Sequence, residues 1–191
     1  MIYLWVRFLL LLTCISHLGH QNIIKYEPLS RPFASVEEMD DAIVERWNSK
    51  VGPHDTVYVL GDLCMGMRDK VKERASRLNG HIILVRGNHD DKARIAIYEE
   101  MGIEVKDIAY LTYKGKYFIM CHFPIVSPEY ARMVGNFDGS CVFLYGHVHH
   151  NAPRGLVDGA FHVGVDTNDL TPWNIEEIWQ ECQKENTTYE L

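Results

Sequence analysis

Three short segments, far apart in the chain, carry side chains that bind metal ions in proteins. They are Gly61-Asp62, Gly87-Asn88-His89-Asp90 and Gly146-His147-Val148-His149. His17 and His122 add two further imidazoles, each just beyond an apolar run. Imidazoles with one carboxylate and one amide suit Mn²⁺, Fe, Zn²⁺ or Co²⁺ better than Ca²⁺. Six or seven ligands are too many for one ion with an open position, so they predict two divalent ions about 3.5–4 Å apart.

Each of the three segments follows an apolar run that is typical of a buried strand. The runs are residues 56–60 (TVYVL), 81–86 (HIILVR) and 141–145 (CVFLY). Such runs belong to α/β sheets, where ligand sites lie at the carboxyl ends of the strands. The glycine after each run permits a positive φ or a close approach of two backbones. The sequence therefore predicts one convergent metal site and indicates metal-assisted hydrolysis.

The remaining elements predict an α/β fold, a layered sandwich of two mixed β-sheets flanked by helices, as a single domain over residues 1–191. Ser35 and Glu38 form a capping box that begins one helix. Further helices are predicted over residues 68–78, 91–101 and 174–185, the last with Thr171 as N-cap and Pro172 in its first position. Residues 108–113 and 116–121 predict a β-hairpin, and residues 161–165 a further strand.

Composition and charge limit the classes of partner. Apolar residues make up 47% and charged residues 24% of the chain, as in soluble globular proteins. The net charge of −7 disfavours nucleic-acid binding, which needs a basic face, although it does not remove a nuclease role. A small anionic substrate is compatible with this negative charge, because bound cations would reverse the electrostatic potential at the site. The five cysteines are odd in number and form no CxxC pair, which predicts a reduced, cytoplasmic protein.

The apolar residues 1–15 (MIYLWVRFLLLLTCI) allow more than one interpretation. A signal peptide is disfavoured, because Arg7 lies inside the run and no small-residue cleavage site follows. A membrane span is disfavoured, because the run is short and would bury Arg7 near its middle. We expect an apolar lead-in followed by a buried first strand.

The complete set of motifs resembles the calcineurin-like metallophosphoesterases, in particular the small bacterial and phage-type members without a cap domain. The family pattern is D-x-H, G-D, G-N-H-[DE], a lone H and G-H-x-H. It is matched here by His17, Asp62, Asn88-His89-Asp90, His122 and His147/His149. Residues 17–24 and 164–166 also look like that subgroup, and the resemblance extends from about residue 17 to about residue 178.

The resemblance implies a phosphoesterase that hydrolyses a small phosphomonoester or phosphodiester by attack of a metal-bridging hydroxide. Asp62 would bridge two ions. His17 and His149 would hold the first ion, and Asn88, His122 and His147 the second. His89 would protonate the leaving-group oxygen or stabilise its charge. Asp90 would orient an imidazole from behind.

One position departs from the family pattern. The family has an aspartate two residues before the first histidine, and this chain has Ile15 there. Isoleucine cannot coordinate an ion, so we expect weaker binding of the first ion and lower activity. Two explanations stay open: a natural member with an impaired site, used as a binding or scaffold module, or an N-terminal sequence altered by a frameshift or misplaced start. Substrate specificity is expected in the loops of residues 63–69 and 124–139.

Overall fold

The computed structural model describes residues 9–124, 141–152, 156–157 and 159–186. In these residues the strands are β1 (Leu10–Thr13), β2 (Thr56–Val59), β3 (His81–Val85), β4 (Glu104–Lys106), β5 (Ala109–Tyr113), β6 (Lys116–Met120), β7 (Cys141–Tyr145), β8 (Leu156–Val157), β9 (Ala160–His162) and β10 (Trp173–Asn174). The α-helices are α1 (Ile23–Tyr26), α2 (Val36–Lys50), α3 (Val71–Ala75), α4 (Lys92–Glu100) and α5 (Ile175–Asn186). Most of the predicted loop of residues 124–139 lies outside the described residues.

The strands form two mixed sheets, as predicted. The first has the order β10-β1-β2-β3-β4, and the second β5-β6-β7-β9-β8. Strands β1 to β4 run parallel, with β10 antiparallel at the edge. Strands β6, β7 and β9 run parallel between two antiparallel edge strands. Each sheet therefore presents the carboxyl ends of several adjacent strands along one edge.

Alternate residues of the first sheet face two different cores. Leu11, Val57 and Leu84 pack in one apolar cluster with Met39, Ile43 and Trp47 of α2. Leu12 and Val85, on the opposite face, pack in a second cluster with Phe118, Met120 and Leu144 of the second sheet. Complete burial of one large aliphatic or aromatic side chain stabilises a fold by about 1.5–3 kcal/mol. The layers are thus helices, first sheet and second sheet, and the metal-ligand turns sit along their shared edge.

Several predicted boundaries are confirmed. Ser35 is confirmed as the N-cap of α2, since its Oγ accepts from Glu38 N at 3.1 Å. The Glu38 carboxylate accepts from Ala34 N at 3.0 Å instead of from the Ser35 N–H that a capping box uses. The hairpin of β5 and β6 turns at Lys114 and Gly115, both with positive φ. The first strand is confirmed over Leu10–Thr13, with Leu11 and Leu12 buried, whereas residues 1–8 lie outside the described part.

Other boundaries were wrong. Residues 68–78 form a 3₁₀ turn, Arg68–Lys70, followed by the short helix α3, instead of one helix. The strand predicted over residues 161–165 is β9, and Val165–Thr167 forms a 3₁₀ turn. Thr171 does not cap the last helix, because residues 173–174 pair with β1 and delay the helix start. Asn174 takes that place: its Oδ1 accepts from Glu176 N, and its own N–H donates to Glu177 Oε2, both at 2.8 Å.

Among the helices of the residues that the structure describes, none combines the length and apolarity needed to cross a bilayer.

Candidate metal centre

Every predicted ligand lies in a turn directly after a strand. His17 follows β1, Asp62 follows β2 and Asn88 follows β3 in the first sheet, while His122 follows β6 and both His147 and His149 follow β7 in the second. These are the carboxyl ends of parallel strands, the edge at which α/β sheets bind ligands. The structure therefore brings together side chains that are up to 132 residues apart, counted from His17 to His149.

The ligand turns adopt a backbone conformation that side chains other than glycine rarely take. The φ angles are 51° at His17, 57° at Asp62, 66° at His147 and 50° at His149. Such residues cost of order 1–3 kcal/mol each and cluster at functional sites. Gly61, with φ of 88°, shows how closely the turns meet: a Cβ there would lie 2.4 Å from His122 Nδ1 and 2.6 Å from Gly87 Cα. Only glycine fits at this junction.

Four of the ligands converge tightly and form the candidate second-ion site. His122 Nε2 lies 2.8 Å from Asn88 Oδ1, 3.2 Å from His147 Nδ1 and 3.4 Å from Asp62 Oδ2. Asn88 Oδ1 also lies 3.1 Å from His147 Nδ1. Within the described residues, no group of three or more His, Cys, Asp or Glu side chains is arranged to hold an ion. The Asn88 amide oxygen is a further potential donor within this cluster.

The chemistry of this cluster fits a cation. His122 Nδ1 lies 2.8 Å from the Leu60 carbonyl oxygen, which can only accept, so Nδ1 carries the ring proton. With that proton on Nδ1, Nε2 of the ring faces two oxygens and a second imidazole nitrogen. Burial, and next the neighbouring His122, lower the pKa of His147, which favours the neutral, metal-binding form of that ring. The role of His147 Nδ1 depends on the tautomer: with the ring proton on Nε2, its Nδ1 lone pair faces the same point as His122 Nε2 and Asn88 Oδ1, and a divalent ion could bind there.

The candidate first-ion site has fewer donors. The rings of His17 and His149 stack with centroids 5.1 Å apart, and His17 Nε2 lies 3.9 Å from Asp62 Oδ2. Burial, and next the Arg31 guanidinium, lower the pKa of His17 well below its usual value, which keeps the ring in the neutral, metal-binding form. Ile15 is fully buried in the apolar cluster between the sheets and supplies no donor. The residues present fit an ion here less well than at the second site.

Asp90 contacts backbone instead of the predicted imidazole. Its Oδ2 accepts from the N–H groups of Asp62 and Gly87, both at 2.8 Å, while its buried Oδ1 has no hydrogen-bond partner among the residues that the structure describes. Burial raises the pKa of the Asp90 carboxyl. Asp90 therefore ties the turn after β2 to the turn after β3, and so fixes the distance between Asp62 and Asn88.

Two exposed or half-buried imidazoles flank His17. The ring of His89 lies 5.7 Å from that of His17, and His89 N donates to Asp62 Oδ1 at 3.0 Å. The ring of His20 lies 5.3 Å from that of His17, and its Nδ1 accepts from Ile23 N at 3.1 Å. The proton of neutral His20 is thus on Nε2. Both rings can donate to a group held beside His17.

Sequence reasoning missed two buried charged residues behind the first-ion site. Asp166 Oδ2 lies 2.8 Å from His149 Nδ1, and Asp166 Oδ1 lies 2.7 Å from Arg31 Nε. Burial alone would raise the pKa of Asp166, but the His149 hydrogen bond and Arg31 outweigh it and hold the pKa well below its usual range. Residues 164–166 resemble the family subgroup in sequence, but that resemblance assigned no role to Asp166. Arg31 gave no sequence signal, because its partner lies 135 positions away.

His162, which lies outside the predicted ligand motifs, is a buried residue beside this region. Burial lowers its pKa to about 4, against a partial opposing effect of Asp166. In the unfolded chain a histidine has a pKa of about 6.5, so between that pH and about pH 4 the unfolded chain binds more protons than the folded protein. The free energy of unfolding therefore decreases as the pH falls from about 6.5 toward 4.

Replacing His162 by phenylalanine should remove this pH dependence. Between pH 7.5 and pH 5, the free energy of unfolding of His162→Phe should decrease by about 2 kcal/mol less than that of the wild type. Urea unfolding at both pH values tests this, and equal losses would contradict it.

Comparison with known proteins gives one family. The model of the calcineurin-like phosphoesterase superfamily domain matches residues 38–161, more than half of the chain. That stretch contains every candidate ligand except His17, and it excludes Ile15 and Asp166.

Relatives and solved structures cover nearly the whole chain. The uncharacterized protein MJ1445 of Methanocaldococcus jannaschii is 38% identical over 174 residues, which are 88% of this chain and 88% of that protein. The gene 66 protein of Mycobacterium phage D29 is 26% identical over 179 residues, 82% of this chain and 87% of that protein. The crystal structure of AQ665, a protein of unknown function from Aquifex aeolicus, aligns with a TM-score of 0.72 and 27% identity, over 91% of this chain and 99% of that one.

Proposed function

Because the chain belongs to the calcineurin-like phosphoesterase superfamily, we propose that it is a phosphoesterase that uses two divalent cations to hydrolyse a small phosphomonoester or phosphodiester. The observation that carries this proposal is the second-ion cluster. There His122 Nε2 lies 2.8 Å from Asn88 Oδ1 and 3.2 Å from His147 Nδ1, so three atoms that can coordinate a divalent ion converge on one place. The net charge of −7 is compatible with an anionic substrate, because bound cations would reverse the local potential.

The geometry supports an assignment of the residues that would hold the ions. Asn88, His122 and His147 would hold one ion, His17 and His149 the other, and Asp62 would lie between them. When bound, two such ions would polarise the phosphoryl group, lower the pKa of an attacking water and balance the charge that develops at phosphorus. Mn²⁺, Fe, Zn²⁺ and Co²⁺ all suit this donor set.

The protein's own groups would position and protonate the substrate. His89 is exposed beside His17, and its backbone N–H holds Asp62 Oδ1 at 3.0 Å, which fixes the ring at the edge of the site. From there His89 would donate a proton to the leaving-group oxygen, since histidine is the side chain that most often acts as a general acid or base. Asp90 would keep the turns of Asp62 and Asn88 in register through its two backbone hydrogen bonds.

Ile15 favours a second candidate function. Its full burial leaves the first-ion site with two imidazoles and a shared carboxylate, so this ion would bind weakly. A protein that holds only the second ion would serve as a binding or scaffold module of the same fold. In either case a cytoplasmic location is part of the proposal, supported by five free thiols.

The test is an ion count together with an assay. The protein is stripped with a chelator, loaded with Mn²⁺ and analysed for bound metal, and hydrolysis of an aryl phosphodiester and an aryl phosphomonoester is measured. We expect two ions and turnover only after loading. The matched control is Asp62→Asn, which keeps the shape of the side chain but removes its charge, and it should bind fewer ions and lose turnover. Equal turnover in stripped, loaded and Asp62→Asn protein would refute the proposal, and one ion without turnover would favour the binding module.

A further inference from the structure

Arg31 connects the turn of the first predicted ligand to the last one. Its Nη2 donates to the Ile15 carbonyl at 2.6 Å, and its Nη1 to the Ser16 carbonyl at 3.0 Å. The same guanidinium pairs with both oxygens of Asp166, at 2.7 Å from Nε and 3.2 Å from Nη2. The side chains of Arg31 and Asp166 are both 0% exposed. One buried cation thus joins the backbone beside His17 to a carboxylate near His149.

Asp166 completes the connection. Its Oδ2 lies 2.8 Å from Nδ1 of His149, and an ionised carboxylate can only accept. Nδ1 of His149 must therefore carry the proton, which leaves the Nε2 lone pair free for an ion. A carboxylate that accepts from one nitrogen of a metal-binding imidazole fixes its tautomer and ring orientation, and loss of such a partner typically weakens metal binding by about 10–100-fold.

The energetics of the pair favour a positioning role over a stabilising one. A buried ion pair is often no more stabilising than apolar residues of the same volume, because both charges lose their hydration.

The pair also anchors a strained segment, since Ile15, a β-branched residue, has φ of 52° and His17 has φ of 51°. The hydrogen bonds of Arg31 satisfy the two carbonyl groups that precede His17 and hold this turn in place.

We propose that Arg31 and Asp166 are positioning residues of the first-ion site, which together fix the turn of His17 and the Nδ1-protonated tautomer of His149. They make the two imidazoles of this site rigid in a chain that has no carboxylate at position 15. The inference rests on the proposed function, because it assigns a purpose to residues around an ion that the proposed function requires.

Two matched double variants test this role. Arg31→Met/Asp166→Asn and Arg31→Met/Asp166→Leu both remove the buried charges, but only the first keeps an oxygen that can accept from His149. Mn²⁺ titration calorimetry is done on each, and the binding step that His149→Ala abolishes identifies the first ion. We expect the Leu variant to bind this ion about tenfold or more less tightly than the Asn variant, with the second ion unchanged in both. Equal first-ion affinities in the two folded variants would overturn the proposal.

A second measurement is independent of folding of the variants and of activity. The ¹⁵N chemical shifts of His149 are recorded in metal-free wild-type protein at pH 8. A protonated Nδ1 with a bare Nε2 supports the inference, whereas a protonated Nε2 overturns it, whether or not ions bind. Failure of the proposed function has a different signature, since it appears as the absence of bound ions and turnover in the loaded wild type.

Discussion

His89→Gln is expected to lower kcat by about 10²–10⁴-fold while both ions remain bound, because general acid catalysis contributes about that much. The ring of His89 is exposed and lies 5.7 Å from that of His17. Its backbone N–H, which holds Asp62, is retained in the variant. Metal content should therefore stay at the wild-type value, and the loss should fall on the chemical step.

The leaving group makes this prediction sharper. A nitrophenolate departs without protonation, so the loss in kcat should be small with a nitrophenyl ester and large with an alkyl or simple phenyl ester. His20→Gln is the matched control, because His20 lies at a similar distance from His17 and its loss should act mainly on KM. A His89 variant with wild-type kcat toward the poor leaving group would contradict the assignment, as would a loss of equal size for all leaving groups.

Ile15→Asp is expected to tighten binding of the first ion by about tenfold or more and to raise kcat, because it adds a charged ligand where this site has only imidazoles and Asp62. The same substitution should destabilise the stripped protein by about 3 kcal/mol, because position 15 is fully buried in an apolar cluster and the new carboxylate would lack a partner. Relative to the wild type, the variant should therefore be less stable without metal and more stable with bound Mn²⁺. Thermal unfolding with and without Mn²⁺ measures both differences.

The matched control for this prediction is Ile15→Asn, which has the shape of aspartate without its charge. It should be destabilised with and without Mn²⁺ and should gain little affinity for the first ion. If the Asp and Asn variants respond equally to Mn²⁺, position 15 does not face an ion, and the missing carboxylate is not the reason for any weakness of this site.

The parts of the site that the sequence predicted are those encoded locally. An apolar run followed by glycine and a donor specifies a strand and the turn after it, and this pattern recurs at Asp62, Asn88 and His147. The parts that it missed depend on tertiary partners. Arg31 meets Asp166 only after the chain has returned from the second sheet, and no short pattern records that contact. Thr171 was a reasonable cap by its own sequence, but the pairing of residues 173–174 with β1 overrode that preference.

The ligands come from the strand ends of two different sheets, and this has a consequence for the order in which the molecule assembles. His17, Asp62 and Asn88 belong to one sheet, whereas His122, His147 and His149 belong to the other, so no partly folded chain with a single sheet contains either complete site. If the two sheets dock after the main barrier to folding, bound ions would stabilise contacts that are absent at that barrier. Their effect would fall on the rate at which the native protein opens, and the folding rate would change little. The concentration of available metal would then determine the lifetime of the folded state as well as the activity of the protein.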